Sequence, residues 1–585
     1  MPPHPTGHSP QSAPEPVPHE AVREQLTRIL ASSGFVSSAR LCRFLTHVVE
    51  RTLEGDPESL KEFAIALEVF DRTAEYDPNV DAIVRVEARR LRTKLKAYYE
   101  TASDLVRIEL RPGSYVPTFR WLHAQPAPDR AHGAQPQGKS SVAVLPFVNM
   151  SPDPEQEYFC DGISEEIIDS LTRVPGLNVI ARTSAFQFKG VSVDVRGVGQ
   201  KLGADLVIEG SVRKAHDQVR ITAQAVETVS GHHLWSKTFR REFRDIFAIQ
   251  EEIANVVADL LRVHAPARPE QSRNSEAYTE YLGARFLIHQ QTPEALRAAV
   301  QQLQRLIAKF PDYAPAHSGV AAALGLLAIF GAVSGREVYA QVKESAERGY
   351  ALDPDSAETC TMLGGLRAWF EHRWEDAAKL SDRALQLQPG HATSYIFRGM
   401  TALCQGNINA AEAALMRAIE LDPLSASDCA RMAYLYYVKG DDTALDYLER
   451  SFELNPDYPE SRFYEGLLHF QRGDYERVEA RLSTSSGPLD LGVLAATYGR
   501  WGRRRSADAC VEKLRTMAER QFVTPLGEGL AAIGMGDFDM AFQKLHEAIK
   551  HRTNFVNLVA VDPFFEPLRG DSRFPKVLKA LRLPA

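Results

Sequence analysis

Apolar positions first recur with a helical period of three to four residues. They change to strict alternation near residue 106, mix the two periods from 140 to 262, and return to a helical period from 274 onward. The first stretch predicts helices over Glu20–Ala31, Ser38–Leu53, Ser59–Phe70 and Val80–Tyr99. In the fourth, Val84, Ala88, Leu91 and Leu95 fall on one face, and Arg85, Arg89, Arg92 and Lys96 repeat that spacing one residue later. Arg90 and Lys94 widen this basic stripe. VRIEL, RPGS and YVPTF then read as a β-hairpin about a Pro-Gly turn.

Breaks in the pattern divide the chain. A proline-rich head (1–18) carries seven prolines and no apolar core of the kind a signal peptide needs, so it is expected to be disordered. Stretches lacking period at 123–139 and 263–273 read as linkers, leaving folded regions at 19–122, 140–262 and 274–585. The middle region predicts strands at SVAVLPF, LNVIAR, LVIEGSVRK, VRITAQAVE and HLWSKTF. Helices are expected at Gly162–Val174, Val195–Leu202 and Ile246–Leu261, giving an α/β domain with a mixed sheet. The uncharged run from Tyr313 to Gly335 is short of a membrane span and reads as a buried helix.

The last region repeats itself. Pro311, Pro354, Pro389, Pro423 and Pro456 close helical stretches at intervals of 43, 35, 34 and 33 residues. Gly365, Ala377 and Ala384, then Gly399, Ala411 and Ala418, place small residues at matching points. This resembles the tetratricopeptide repeat, which implies an all-α superhelix with a concave groove for a protein or peptide partner. The C-terminal DPFFEPLRGDSRFPKVLKAL is expected to cap the solenoid.

The residues VRVEARRLRTKLK and RIELRPGSYVPTF resemble the winged-helix domain of OmpR/PhoB and ToxR-type bacterial regulators, a mainly α fold with a β-hairpin wing. Pro112, Pro117 and the lack of an N-terminal sheet depart from that pattern. The resemblance implies double-stranded DNA as ligand. Contacts are expected from Arg85, Arg89, Arg90, Arg92, Lys94 and Lys96 on the helix, and from Arg107, Arg111, Gly113 and Tyr115 on the hairpin. Charge agrees: residues 19–122 hold sixteen basic and sixteen acidic residues, but Glu50–Asp81 has three against ten and Arg85–Arg120 nine against four. The alternative is a solvated helix face. SVAVLPFVNMSPDPEQEYFCDGISEEI, ARTSAFQFKG and HLWSKTF are similar to the TolB-amino-terminal-like (FlgO-like) domain, which bacterial proteins join to such repeats and to a winged helix or nucleotide cyclase.

Catalytic chemistry is not expected. Gly133–Ser140 matches the phosphate-loop pattern, but linker precedes it and a strand follows, the reverse of the order that pattern needs. His232-His233 lacks further ligands, Glu165 and Glu166 read as helix-start acids, and six scattered Cys fit a reducing cytoplasm. The expectation is a non-enzymatic cytoplasmic regulator with no cofactor or metal, self-association left open. A protein-interaction scaffold and a cyclase accessory are the rivals.

Overall fold

The computed structural model describes residues 18–121 and 140–584, apart from 33–34, 36–37, 57, 71, 74–82, 102–105, 111–114, 152, 154–155, 192–193, 216–217, 243–245 and 262–274. The proline-rich head (1–17), the phosphate-loop-like Gly133–Lys139, Arg111 and Gly113 lie outside the described residues. The chain divides into two compact units, Met1–Pro136 and Gln137–Ala585.

The first unit holds α1 (His19–Ala31), α2 (Ala39–Glu54), α3 (Glu62–Phe70), α4 (Ile83–Thr101), β1 (Val106–Leu110) and β2 (Pro117–Trp121). The strands pair antiparallel, Val106 opposite Trp121 and Leu110 opposite Pro117. The helical period buries one stripe per helix: Val84, Ala88, Leu91 and Leu95 of α4 join Val22, Phe44, Val48, Ile65 and Ile108 in a single core.

The second unit begins with a mixed sheet. Its strands are β3 (Ser141–Val144), β4 (Val148–Asn149), β5 (Asn178–Val179), β6 (Leu206–Ala215), β7 (Gln218–Glu227) and β8 (His233–Glu242). The order is β5-β3-β6-β7-β8, with β4 also paired to β6. Strand β3 runs parallel to β5 and β6, whereas β6, β7 and β8 are antiparallel neighbours. Alternation along the strands separates two faces. One buries Val142, Ile208, Val212, Ile221 and Phe239 with α5 (Glu157–Thr172) and, after α6 (Arg182–Ala185) and α7 (Val195–Leu202), with α8 (Ile246–Leu260). The other is covered by α7 only where Ala143 and Val207 meet Val198 and Leu202.

Helix pairs follow: α9 (Ser275–His289) and α10 (Pro293–Lys309), α11 (Ala314–Ile329) and α12 (Gly335–Leu352), α13 (Ala357–Gly365, continued by a π-type turn to Phe370) and α14 (Trp374–Leu387). Next come α15 (Ala392–Cys404) and α16 (Ile408–Leu421), α17 (Ala426–Lys439) and α18 (Thr443–Leu454), α19 (Pro459–Arg472) and α20 (Tyr475–Leu482). The series ends with α21 (Pro488–Arg500) and α22 (Arg504–Ala518), α23 (Leu526–Met535) and α24 (Phe538–Lys550). At two of the five proline turns a serine caps the next helix: Ser356 accepts from Thr359 N and Ser425 from Asp428 N. A Cβ at Gly399 would stand 2.8 Å from Leu415, and one at Gly466 2.7 Å from Leu482, so each pair closes only over glycine. No helix among the described residues is long and apolar enough to cross a membrane; the uncharged α11 lies buried in the array.

First helices of successive pairs pack on one another, as α17 on α19 and α21 on α23, more extensively than second helices do. The solenoid therefore curves toward its first-helix side, which is the inner face.

Candidate functional site

Helix α4 and the hairpin carry the sequence-predicted cations. The exposed Arg90 pairs with the buried Glu87 at 2.9 Å. Two others turn toward their own fold. The Arg92 Nε donates to the Leu110 carbonyl of β1 at 3.2 Å, and the Lys94 ammonium donates to Ser38 Oγ at 2.6 Å beside the Phe35 ring. The Arg107 guanidinium lies 5.3 Å from the centre of the Tyr99 ring, whose hydroxyl accepts from Ile108 N. Tyr115 packs against Phe44. The Arg92 and Arg107 contacts tie the hairpin to α4, whereas Lys94 holds α4 to the start of α2 and Tyr115 rests on α2. Arg85, Arg89 and Lys96 lie on α4 at the spacing that runs beside the core stripe, and their side chains are not among those described.

A second constellation was not foreseen: the α/β domain and the repeats share one interior. Tyr278 and Leu282 of α9 complete the α/β core. Beside them Glu165, in the middle of α5 rather than at its start, is 4% exposed and pairs with Arg182, with Arg285 Nε at 2.7 Å and with His289 Nε2 at 3.2 Å; Arg285 also reaches Glu166. Burial alone would raise the Glu165 carboxyl, but the surrounding His289, Arg285 and Arg182 hold it below the usual carboxylate range. Burial lowers His289, against the raising pull of the Glu165 carboxylate beside it.

The repeat turns complete the joint. Gln388 of the LQPGH turn donates to Asp169 Oδ1 at 2.6 Å, and Gly390 N to Thr172 O. In the LDPLS turn, Asp422 accepts from Ser184 Oγ at 2.5 Å and Leu424 O accepts from Gln187. Burial, then the neighbouring Asp428 charge, push Asp422 up to about 7. In the sequence the only hint was Gln388-Pro-Gly390, where two of the four sister turns read Asp-Pro.

The inner face of the solenoid already holds a peptide. After α24 the chain continues along that face through Phe555–Leu558, Pro563–Phe565 and α25 (Glu566–Arg569) to α26 (Phe574–Ala580). Phe555 packs edge-on to Phe463, Tyr434 and Tyr464, and Phe564 stacks on Phe470 at 4.5 Å. Asp562 accepts from Tyr434 Oη at 2.7 Å, Tyr437 Oη at 2.9 Å and its own turn at Phe564 N. Leu581 O accepts from the Trp374 indole at 2.9 Å, and the Arg552 guanidinium reaches Phe370 O. The expected end cap is thus also the lining of the groove, because aromatic first-helix positions leave an apolar channel that this segment fills.

No group of three or more His, Cys, Asp or Glu among the described residues is placed to hold a metal ion.

The tetratricopeptide repeat family model matches residues 363–426. The chain is 42% identical over 205 residues to Putative adenylate cyclase 3 of Rhizobium meliloti (strain 1021), covering 34% of this chain and 35% of that protein; it spans about a third of this curated relative's length. Among solved structures, a thermophilic TPR protein of Thermus thermophilus is 20% identical (32% of this chain, 97% of that one, TM-score 0.28). PilF of Pseudomonas aeruginosa is 17% identical (42% and 98%, TM-score 0.28). The chain contains tetratricopeptide repeats preceded by a mixed-sheet domain.

Proposed function

We propose that the chain is a non-enzymatic bacterial regulator that binds double-stranded DNA through its N-terminal unit, read as a winged helix, and engages a protein partner through its repeats. The observation carrying this reading is the run of cations in the sequence of α4 and the hairpin, nine basic against four acidic residues over Arg85–Arg120, after the acidic stretch Glu50–Asp81. Phosphate neutralisation needs such a polarised surface, because each cation contact releases condensed counterions. Arg85, Arg89, Arg90 and Lys96 are the contact residues, with Arg111 and Gly113 at the wing. Arg92 and Arg107 set the angle between helix and wing, and Lys94 and Tyr115 hold helix and wing against α2.

Supporting the partner role, the inner face binds a peptide in cis. A partner reaching that face competes with the chain's own segment, whose tethering gives it a high effective concentration. The TolB-like domain, sharing its interior with the repeats, passes any load on the solenoid as one body. The 42% identity to a protein named an adenylate cyclase favours a second reading, an accessory of cyclase-type signalling in the cytoplasm.

Selection of random-sequence duplexes by residues 1–136, a unit with its own core, tests the first reading. Enrichment of a recurring motif is the expected result. A pool that stays flat, with the fragment folded, contradicts sequence-reading by this unit.

A further inference from the structure

Among the described residues, the face of the mixed sheet that α7 covers at one end has no element packed on it at the other. There Arg213, Arg220 and Arg240 stand directly opposite one another on β6, β7 and β8. All three are exposed, while their strand neighbours Val212, Val219, Ile221 and Phe239 are buried on the other face. Like charges directly opposite on a sheet repel, so nothing in the fold itself calls for this row. No ion pair or side-chain hydrogen bond to a described residue occupies any of the three. Charges on an edge strand commonly guard against sheet-to-sheet pairing. That accounts for β8, where Lys237 also pairs with Glu252, but not for Arg213 and Arg220, which lie inside the sheet.

The next row on this face is Ser211, Thr222 and Thr238, with the two threonine hydroxyls 3.1 Å apart. Three guanidinium forks thus span about 10 Å at ordinary strand spacing, backed by three hydroxyls and no aromatic side chain from these strands. Guanidinium and hydroxyl donors together suit phosphate oxygens. The exposed Val148 of β4 stands level with Ser211, but no aromatic side chain of these strands offers a base a platform to stack on. The geometry points to a second, sequence-independent nucleic-acid contact: the bare sheet face takes the phosphate backbone of duplex DNA flanking the site held by the N-terminal unit. This rests on the DNA-binding reading only for the identity of the duplex; the arginine row stands without it.

The test uses the full chain and a 30-base-pair duplex of arbitrary sequence, followed by fluorescence anisotropy across a salt series. Four proteins are compared: the unaltered chain, R213A/R220A/R240A, R85A/R89A/K96A, and both sets together. Melting curves confirm that each is folded. The sheet variant is expected to bind about tenfold more weakly near 0.1 M salt, with the slope of log affinity against log salt reduced by up to about 2.7. Residual binding by the helix variant is expected to vanish in the combined one. An unchanged slope in the sheet variant overturns the inference and leaves the N-terminal reading standing. Loss confined to the sheet variant does the reverse. Polyglutamate binding as tightly as DNA, and lost in the same variant, overturns nucleic acid in favour of an acidic polypeptide.

Discussion

At the scale of single residues, two cations of one basic stripe do different work. Arg92 donates to the Leu110 carbonyl and Lys94 to Ser38. Replacing Arg92 by Ala should lower the stability of the N-terminal unit by about 1–2 kcal/mol, the worth of a charge-assisted bond, while leaving the salt slope of DNA binding nearly unchanged. Urea melts beside anisotropy check both. The joint offers a second pair of contrasts. Asp422 titrates near 7 when folded, above its unfolded value, so the folded state holds the extra proton between about pH 4 and 7. Its stabilisation is complete below the unfolded pKa and lost as pH rises through 7. Asp422→Asn should therefore raise the melting temperature at pH 8 and change it little at pH 5. Glu165 has the opposite sign: its depressed folded pKa gives stability present above about pH 4.3 that falls away in acid. Glu165→Gln leaves Arg182 and Arg285 without their carboxylate and should cost on the order of 3–5 kcal/mol at neutral pH.

At the scale of elements, the C-terminal segment is bound like a ligand. Val556, Leu558, Val559, Phe564, Phe565 and Leu568 are each at most 4% exposed, and burial at about 1.5–3 kcal/mol per side chain gives on the order of 10 kcal/mol or more. Truncation after Arg552 should expose the Tyr434, Phe463 and Phe470 channel, lower the melting temperature and promote association. A peptide of residues 553–585 supplied in trans should restore the melt, and failure to do so would show the segment is not a separable ligand. Tyr434→Phe with Tyr437→Phe should weaken the same contact by leaving Asp562 buried with fewer donors.

Most elements were legible in the chain because their signals are local. The core stripe of α4, the hairpin, the alternation in β6 to β8 and the recurrent proline turns all rest on neighbours within a few residues. Partnerships were not legible. Gln388 meets Asp169 across 219 positions and Tyr434 meets Asp562 across 128, and neither pair has a spacing that could announce it. The same limit hid that the fold takes up part of the basic stripe. Arg92 and Lys94 are captured by Leu110 and Ser38, groups brought near only by tertiary packing.

At the scale of the whole molecule, the α/β domain and the repeats form one compact unit, and the N-terminal unit has a core to itself. A change in the α/β domain is thus felt by the repeats as a body, not by one repeat alone. Binding of DNA by the N-terminal unit is the property on which the regulator reading turns. The most direct measurement is anisotropy of residues 1–136 with duplex from upstream of the chain's own coding sequence, across a salt series, beside R85A/R89A/K96A. Affinity that falls with a log–log slope of about −3 to −4, and collapses in the folded triple variant, is the predicted result. A folded fragment that binds no duplex at low salt would contradict it and leave the repeats and the sheet face as the working surfaces.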